Sequence, residues 1–498
     1  MSSHNDADIT VGCFGRLFKR KKHSRRSASS RLPAQSSSSS SSQRDEKSST
    51  VKGQSNEQHD CYCPNCDFSF GKQALWWPSE SQTTLPAYTP SKDHLRSVSA
   101  QAIDNVLSDL KPKLRQLSLQ IHDNPELQFH EKFAHNLLTS FMEDHGFKVT
   151  RGYLGLATAW RAEYTHGRGG RVVGINSEMD ALEGIGHACG HNLIAVSGCG
   201  VAIALKAALE RTNTAGKIIL LGTPAEESGG GKIILLERGG YEEMDICIMS
   251  HPGPGPSHSF DVGSSNAMQS FEVEYFGKNA HAGMAPWEGT NALDAAFLAY
   301  SSISVLRQQM KPDHRVHGVI LGKDWIPNVI PDYAKMRWIV RAPSYPELKV
   351  FADKVVKCFN AASMATDCKV NVKAEPAYYD LNQNPALAKE FSAIVKDHFQ
   401  MDTTSHGSTA STDFGNVGYH LPSLHPMFAI PTEPNGGNHT AAFTRSAATD
   451  AAHEAAMCVT QALAMTAFRT IDDDAFFQEI KDSFAASSNI SGSPAISV

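Results

Sequence analysis

Long apolar runs are missing from this chain of 498 residues. No stretch approaches the roughly eighteen continuous apolar residues that a membrane-spanning helix needs. The opening MSSHNDADIT also lacks the charged-then-apolar pattern of a secretory signal. We therefore expect a cytoplasmic protein, and the length predicts two or three folding units rather than one core.

Cysteine is scarce as well, with 10 residues in the whole chain. They are too few and too scattered for a disulfide framework, so a cysteine among histidines is a candidate metal ligand. The stretch GHACGH at 186–191 contains such a cysteine. The stretch HDCYCPNC, with His59, Cys61, Cys63 and Cys66, could also bind zinc, but no second ligand pair follows at zinc-finger distance.

Positive charge is concentrated at the N-terminus, although the net charge is −6. Residues 1–58 contain eleven Lys and Arg against five Asp and Glu, a balance of +6 that leaves −12 for the rest. A run of seven serines at 36–42 follows the basic cluster. This composition predicts a disordered tail over 1–92. A nuclear address, a phosphorylated arm or contact with an acidic membrane are the alternatives to a solvated tail, and the acidic remainder argues against nucleic-acid binding.

Short apolar strands alternate with helical stretches from residue 93 onward. Strands are predicted at 171–178, 217–223 and 245–250, with helices at 190–210 and 231–240 between them. Alternation of this kind predicts a mostly parallel sheet with helices on both faces. Pro112 predicts a kink or a restart in the helix that precedes them.

The order of elements changes after Gly263. Residues 264–380 read as strand, helix, strand, strand, helix, strand, and this βαββαβ order is typical of a ferredoxin-like domain. From 381 to 470 the first pattern resumes. We therefore expect an α/β protein whose main domain, 93–263 with 381–470, is interrupted by a smaller inserted domain, and we expect 471–498 to be a C-terminal tail.

Reactive side chains follow the ends of the predicted strands, where the functional residues of open α/β sheets gather. In chain order they are Asp180, Cys189, His191, Glu226, Glu227 and His251. Thiolate, imidazole and carboxylate ligands suit zinc or a neighbouring ion such as manganese. Any one of them has an ordinary structural explanation, but their joint placement favours a metal site.

Glu226 and Glu227 are adjacent, so on extended backbone their side chains cannot point at the same spot. One can bind a metal ion while the other contacts a water whose pKa the ion has lowered. A carboxylate beside that water can take its proton and pass it to a leaving amine. The pair therefore indicates hydrolytic chemistry.

Six ordered motifs resemble those of the M20 family of metallopeptidases and amidohydrolases, over about residues 99–469. They are NSEMDALEGIGHACGHN, GTPAEESGGGK, SHPGP, GKNAHAGMAPWEGTNALDAA, STDFGNVGYHLPSLHP and GGNHTAAF. Within that family the chain most resembles the branch with peptidase M20 domain-containing protein 2 and the aminobenzoyl-glutamate hydrolases. The resemblance implies a catalytic domain with an inserted dimerisation domain, a homodimer, and two divalent metal ions, Zn²⁺ or alternatively Mn²⁺. It also implies five metal ligands, which are Cys189, His191, Glu227, His251 and His439.

The resemblance further implies roles for five other residues. Glu226 matches the general base, and Asp180 matches the acid that orients the site without touching the metal. His281 matches the histidine that reaches across a dimer to stabilise the tetrahedral oxyanion. Asn328 and Arg341 match positions that contact the substrate carboxylate or the oxyanion, for which amide and guanidinium groups are suited.

Two positions depart from the pattern of many M20 peptidases. Glu178-Met179-Asp180 stands in place of His-x-Asp, and Cys189 in place of a bridging aspartate, as in the cysteine-bearing branch. We therefore expect a metal-dependent hydrolase that cleaves the amide bond of small dipeptides or N-acyl amino acids. The alternatives are an N-acetyl amino-acid deacetylase or carboxypeptidase on the same scaffold, and a catalytically idle metal-binding scaffold, against which the intact Glu226 argues.

Three other patterns look like sites but fit them poorly. Glu131 with His135, and His453 with Glu454, miss the spacing of a zinc-protease helix, and we expect both pairs at the surface. Lys232 follows a glycine run that resembles part of a phosphate loop, but Ile233 stands at the Ser/Thr position. We therefore expect no nucleotide site.

Overall fold

The computed structural model describes residues 98–322, 324–404 and 409–491. The basic tail, with His59, Cys61, Cys63 and Cys66, lies outside these residues. The helices are α1 Val98–Asp123, α2 Lys132–Asp144, α3 His191–Thr212, α4 Gly231–Glu237, α5 Ala292–Leu306, α6 Tyr345–Thr366, α7 Pro385–Phe399, α8 Phe414–His420, α9 Ala441–Ala447, α10 Asp450–Asp472 and α11 Asp474–Ser491. The strands are β1 Lys148–Arg151, β2 Trp160–His166, β3 Arg171–Glu178, β4 Gly216–Thr223, β5 Ile246–Ile248, β6 His251–Pro254, β7 Ser259–Asp261, β8 Ala267–Phe276, β9 Arg315–Leu321, β10 Tyr333–Ala342, β11 Lys369–Ala374, β12 Asp402–Thr403, β13 Ser423–Leu424 and β14 Met427–Ile430.

The larger sheet has the strand order β1-β2-β4-β3-β5-β13. The pairings β4–β3, β3–β5 and β5–β13 are parallel, whereas β1–β2 and β2–β4 are antiparallel. The sheet is therefore mixed, with its parallel part at the strands that precede the candidate ligands. A separate small sheet, β12-β7-β14-β6, also mixes both directions.

Helix α3 forms the centre of the main core. It carries no charged residue before Lys206, and every residue from His191 to Leu205 is buried against neighbours that include α1 and α10. The absence of a side chain at Gly198 allows close packing on β3, because a Cβ there would lie 2.2 Å from Ser177 Oγ. By length and composition α3 could cross a membrane, but most of it is enclosed inside the protein, as expected of a core helix.

Residues 267–374 form a second sheet with its own core. Its elements follow the order β8-α5-β9-β10-α6-β11, and its strands lie in the order β11-β8-β10-β9, all antiparallel. Trp338, Val273 and Phe359 are buried in the core that these strands form with the two helices. This is the βαββαβ arrangement that the sequence predicts for 264–380.

Several local predictions are wrong. Helix α1 runs unbroken through Pro112, since this proline lies on the exposed face, where water can bond the carbonyl that loses its partner. The predicted strand at 245–250 ends at Ile248, and His251 begins a new strand. Residues 474–491 form a helix, not a tail, because Phe476 and Ile480 are buried in the main core.

Candidate metal centre

The candidate ligands meet at the carboxyl ends of β3 and β4. Asp180 follows β3, and the loop after it ends with Cys189 and with His191, the first residue of α3. Glu226 and Glu227 follow β4. Parallel strands deliver their carboxyl ends to one edge of the sheet, so residues distant in sequence come together there.

Cys189 belongs to two clusters of candidate ligand atoms. One is Cys189, His191 and His251, and the other is Cys189, Glu227 and His439. Within each cluster the ligand atoms all lie within 4.8 Å of one another. Cys189 Sγ is 3.4 Å from His251 Nε2, and His439 Nε2 is 3.3 Å from a Glu227 oxygen. The geometry therefore provides two neighbouring positions for a metal ion that share one sulfur atom.

Asp180 orients both clusters without belonging to either. Its Oδ1 lies 3.2 Å from His191 Nδ1, and its Oδ2 accepts a hydrogen bond of 3.0 Å from the backbone N–H of Glu227. This leaves His191 Nε2 facing the other ligands, and carboxylates fix metal-binding histidines in this way. Burial opposes a charge on His191, but the contact with Asp180 outweighs it and raises the pKa of the imidazole well above its usual value. Its surroundings therefore favour a positive charge.

The donor atoms suit a divalent cation. His191 Nε2 and Glu227 Oε1 are buried and have no hydrogen-bond partner in the described part of the chain. Buried polar atoms without a partner are costly, and a bound cation satisfies them. Cys189 is buried, and burial raises the pKa of its thiol; a bound cation reverses that effect by stabilising the thiolate.

The adjacent glutamates have different electrostatic environments. Burial raises the pKa of Glu226 well above its usual value, and the negative charges of Glu178 and Glu227 raise it further. Burial also opposes ionisation of Glu227, but the hydrogen bond with His439 and the charge of His191 lower its pKa. Glu227 is thus suited to bind a cation as the carboxylate, and Glu226 to exchange a proton.

A buried ion triad lies behind the ligands, and sequence reasoning missed it. Lys232 Nζ is 2.7 Å from Glu178 Oε1 and also contacts Asp413, and all three side chains are fully buried. Glu178 Oε2 in turn lies 3.4 Å from His191 Nε2. Burial opposes ionisation of Glu178, but the charge of Lys232 lowers the pKa of this carboxyl to about 2. One available signal was a single lysine in the otherwise apolar GGGKIILL.

Two predicted surface pairs are in fact mostly buried. Glu131, His135 and His453 are each less than about a tenth exposed, because they hold backbone groups rather than face water. His135 Nδ1 lies 2.9 Å from the carbonyl of Thr158, and His453 Nε2 lies 3.1 Å from that of Lys111. Their expected surface location is therefore wrong.

The other predicted site residues lie on the inserted sheet and its loops. His281 and Asn328 are exposed on adjacent loops, joined by a backbone hydrogen bond from Ala282 N to Asn328 O. Neither side chain bonds to the ligand clusters within the described residues. Arg341 on β10 is half-buried and donates a hydrogen bond of 2.8 Å to Ser411 Oγ of the main domain. Burial lowers the pKa of its guanidinium, so an anion there would be a favourable partner.

Comparison with known proteins gives one consistent family. Residues 174–465 match the description peptidase family M20/M25/M40. The chain is 40% identical to a mouse Xaa-Arg dipeptidase over 423 residues, 82% of this chain and 95% of that protein. It is 25% identical to one of the p-aminobenzoyl-glutamate hydrolase proteins of Escherichia coli, over 76% of this chain and 93% of that one. The fold matches a crystal structure of a dinuclear metal-binding peptidase from the M20 family of Bacillus subtilis, with a TM-score of 0.56 and 20% identity, over 73% of this chain and 99% of that one.

Proposed function

The chain belongs to peptidase family M20/M25/M40, and on that premise we propose that it hydrolyses the amide bond of small dipeptides or N-acyl amino acids with two divalent metal ions. As an M20-type peptidase or amidohydrolase it is a hydrolytic enzyme. The carrying observation is the pair of ligand clusters that share Cys189, with Glu226 beside them. We propose Zn²⁺ as the ion, with Mn²⁺ as the alternative, because thiolate and imidazole ligands favour zinc.

Cys189 holds both ions in this proposal. His191 and His251 complete one position, and Glu227 and His439 complete the other. When bound, the ions supply Lewis-acid polarisation of the scissile carbonyl and lower the pKa of an attacking water. The relative from Bacillus subtilis, described as a dinuclear metal-binding peptidase, supports the number of ions.

Glu226 is the proposed general base and acid. Its carboxylate takes the proton of the attacking water and then gives it to the nitrogen of the leaving amine. Its pKa, raised by burial, suits this exchange, because proton transfer is most efficient when the pKa lies near the working pH. Asp180 keeps His191 and the Glu227 backbone in place during the reaction.

Substrate contacts are assigned to the inserted domain. His281 donates to the developing oxyanion, and Asn328 and Arg341 hold the substrate carboxylate or that oxyanion. We propose dipeptides with a basic C-terminal residue as the first substrates to assay. The support is the 40% identity with the mouse Xaa-Arg dipeptidase.

We assign a homodimer to the same domain. Helix α5 exposes Phe297 and Val305 at 56% and 75%, and the edge strand β9 exposes Val319 at 55%. An exposed apolar helix beside an unpaired strand edge is suited to pairing with a second copy of itself. A partner protomer would also bring a second His281 to the site, since the side chain of this residue is exposed within one chain.

The variant Glu226→Gln tests the reaction scheme. It keeps the shape of the side chain but cannot accept the proton, so kcat should fall by about 10²–10⁴. Bound metal, measured by mass spectrometry of the folded protein, should remain at the wild-type level. The matched control is Glu183→Gln, an exposed carboxyl in the loop after β3, which should retain wild-type kcat. Wild-type turnover in Glu226→Gln would remove Glu226 from the mechanism.

A further inference from the structure

The backbone immediately before the proposed base has an unusual conformation. Ala225 has a φ of 60°, in the left-handed region that residues with a Cβ rarely adopt. Such a conformation persists only where the surrounding structure holds it. The next two residues are Glu226 and Glu227, so the direction in which both carboxyl groups point depends on how Ala225 is held.

Glu131 holds Ala225 from one side. This residue precedes α2, and its side chain is fully buried. Its Oε1 accepts hydrogen bonds from the backbone N–H groups of Phe129 and Ala225, at 2.9 and 3.0 Å. Its Oε2 accepts a hydrogen bond of 2.7 Å from Thr158 Oγ1. No ion pair with Glu131 is present in the described residues, and a buried carboxyl with only neutral partners is costly to maintain.

Tyr378 holds the following peptide from the other side. Its hydroxyl donates a hydrogen bond of 2.9 Å to the backbone carbonyl of Glu226. The backbone of Tyr378 pairs with that of Met268 through two hydrogen bonds of 2.8 Å. Met268 and Tyr378 lie where the chain enters and leaves the inserted domain. Tyr378 therefore connects the hinge of that domain to the peptide of the base.

We propose that Glu131 and Tyr378 are positioning residues for Glu226, which act through the backbone of Ala225 and Glu226. Together with the Asp180 contact to Glu227 N, they fix three consecutive residues. Glu226 then reaches the attacking water while Glu227 reaches the metal. This inference rests on the proposed role of Glu226 as the base.

The design separates hydrogen-bond geometry from charge and from general stability. Glu131→Gln retains an oxygen that can accept from Phe129 N and Ala225 N, and its NH₂ can donate to Thr158 Oγ1. Glu131→Met keeps a similar volume but accepts no bond. Thr158→Val is the matched control, because it removes the other bond of the same carboxylate and leaves Ala225 held. Tyr378→Phe removes only the hydroxyl. For every variant, kcat, KM, bound metal and the midpoint of thermal unfolding are measured on the full chain.

Glu131→Met should lower kcat by about 10- to 100-fold with little change in KM or bound metal, because small displacements of a catalytic group have effects of this size. Glu131→Gln should remain within about threefold of wild type, since it preserves the bonds to both N–H groups. Tyr378→Phe should lower kcat by about fivefold, the equivalent of one hydrogen bond. Thr158→Val should lower the unfolding midpoint and leave kcat unchanged.

A double variant tests the role of Ala225 itself. Glycine adopts a positive φ without the steric penalty of a Cβ, so the Ala225→Gly background should depend less on Glu131. The loss of kcat caused by Glu131→Met should therefore be smaller in Ala225→Gly than in wild type. A purely structural role of Glu131 predicts an equal or larger loss there.

The proposal is overturned if folded, metal-loaded Glu131→Met has wild-type kcat, or if Glu131→Gln or Thr158→Val loses as much kcat as Glu131→Met. If Glu131→Met does not fold, Tyr378→Phe decides, and wild-type kcat in that variant overturns the proposal. An inactive wild-type enzyme on every dipeptide and N-acyl amino acid would instead contradict the proposed function, and this inference with it.

Discussion

Replacement of Lys232 by methionine should destabilise the protein far more than the loss of an ordinary ion pair. Lys232 is fully buried between Glu178 and Asp413, with its Nζ 2.7 Å from Glu178 Oε1. Methionine fills a similar volume but leaves two buried carboxyl groups without their cation. Removing one partner of a buried ion pair typically costs about 3–5 kcal/mol, because the remaining charge has lost its compensation.

The matched control is Lys311→Met. Lys311 pairs with Glu347 at the same distance of 2.7 Å, but the two side chains are 51% and 36% exposed. An exposed pair contributes about 0–1 kcal/mol, because water and salt screen it. The difference between the two variants therefore isolates the effect of burial.

Urea unfolding at pH 7 in excess chelator measures both variants without a contribution from metal binding, which would otherwise add to the stability of the folded state. We expect Lys232→Met to lose about 3–5 kcal/mol of unfolding free energy and Lys311→Met at most about 1 kcal/mol. Combining Lys232→Met with Glu178→Gln and Asp413→Asn should recover part of the loss. If Lys232→Met loses no more than Lys311→Met, the triad does not have the role argued here.

Three further results are expected. Asp180→Asn should weaken metal binding by about 10- to 100-fold in a chelator competition assay, because an amide cannot accept from both His191 and Glu227 N; unchanged affinity would contradict the orienting role. The pKa of Glu178 is lowered from 4.5 to about 2, so its contribution to stability is present above about pH 4.5 and is lost as the pH falls toward 2. Acid titration of the metal-free protein should therefore show a steeper loss of unfolding free energy in wild type than in Glu178→Gln, and equal slopes would refute this. Phe297→Glu should shift the mass measured by native mass spectrometry from dimer to monomer, whereas a monomeric wild type would contradict the dimer.

Elements with strong local patterns could be predicted from the sequence. Strand β3 and helix α3 are nearly continuous apolar segments, so tertiary contacts had little to change. The candidate ligands follow strand ends in motifs with specific spacing, so their meeting point followed from the order of the strands. The inserted sheet was predictable for the same reason, since six elements in βαββαβ order match one arrangement.

Features that depend on long-range contacts could not be predicted. Lys232 and Asp413 are 181 positions apart, and neither has a local pattern that points to the other. Ala225 is an ordinary residue in sequence, so its positive φ is visible only once Glu131 and Tyr378 are in place. Helix α11 begins in a polar segment, and only the packing of Phe476 shows that it belongs to the core.

Exhaustive chelation followed by metal addition tests the central claim most directly. The claim is that Cys189, His191, Glu227, His251 and His439 hold divalent ions on which hydrolysis depends. We expect about two ions per chain in the active protein, loss of dipeptide hydrolysis as they are removed, and recovery on addition of Zn²⁺ or Mn²⁺. Full hydrolytic activity in protein from which the metal has been removed would contradict the account.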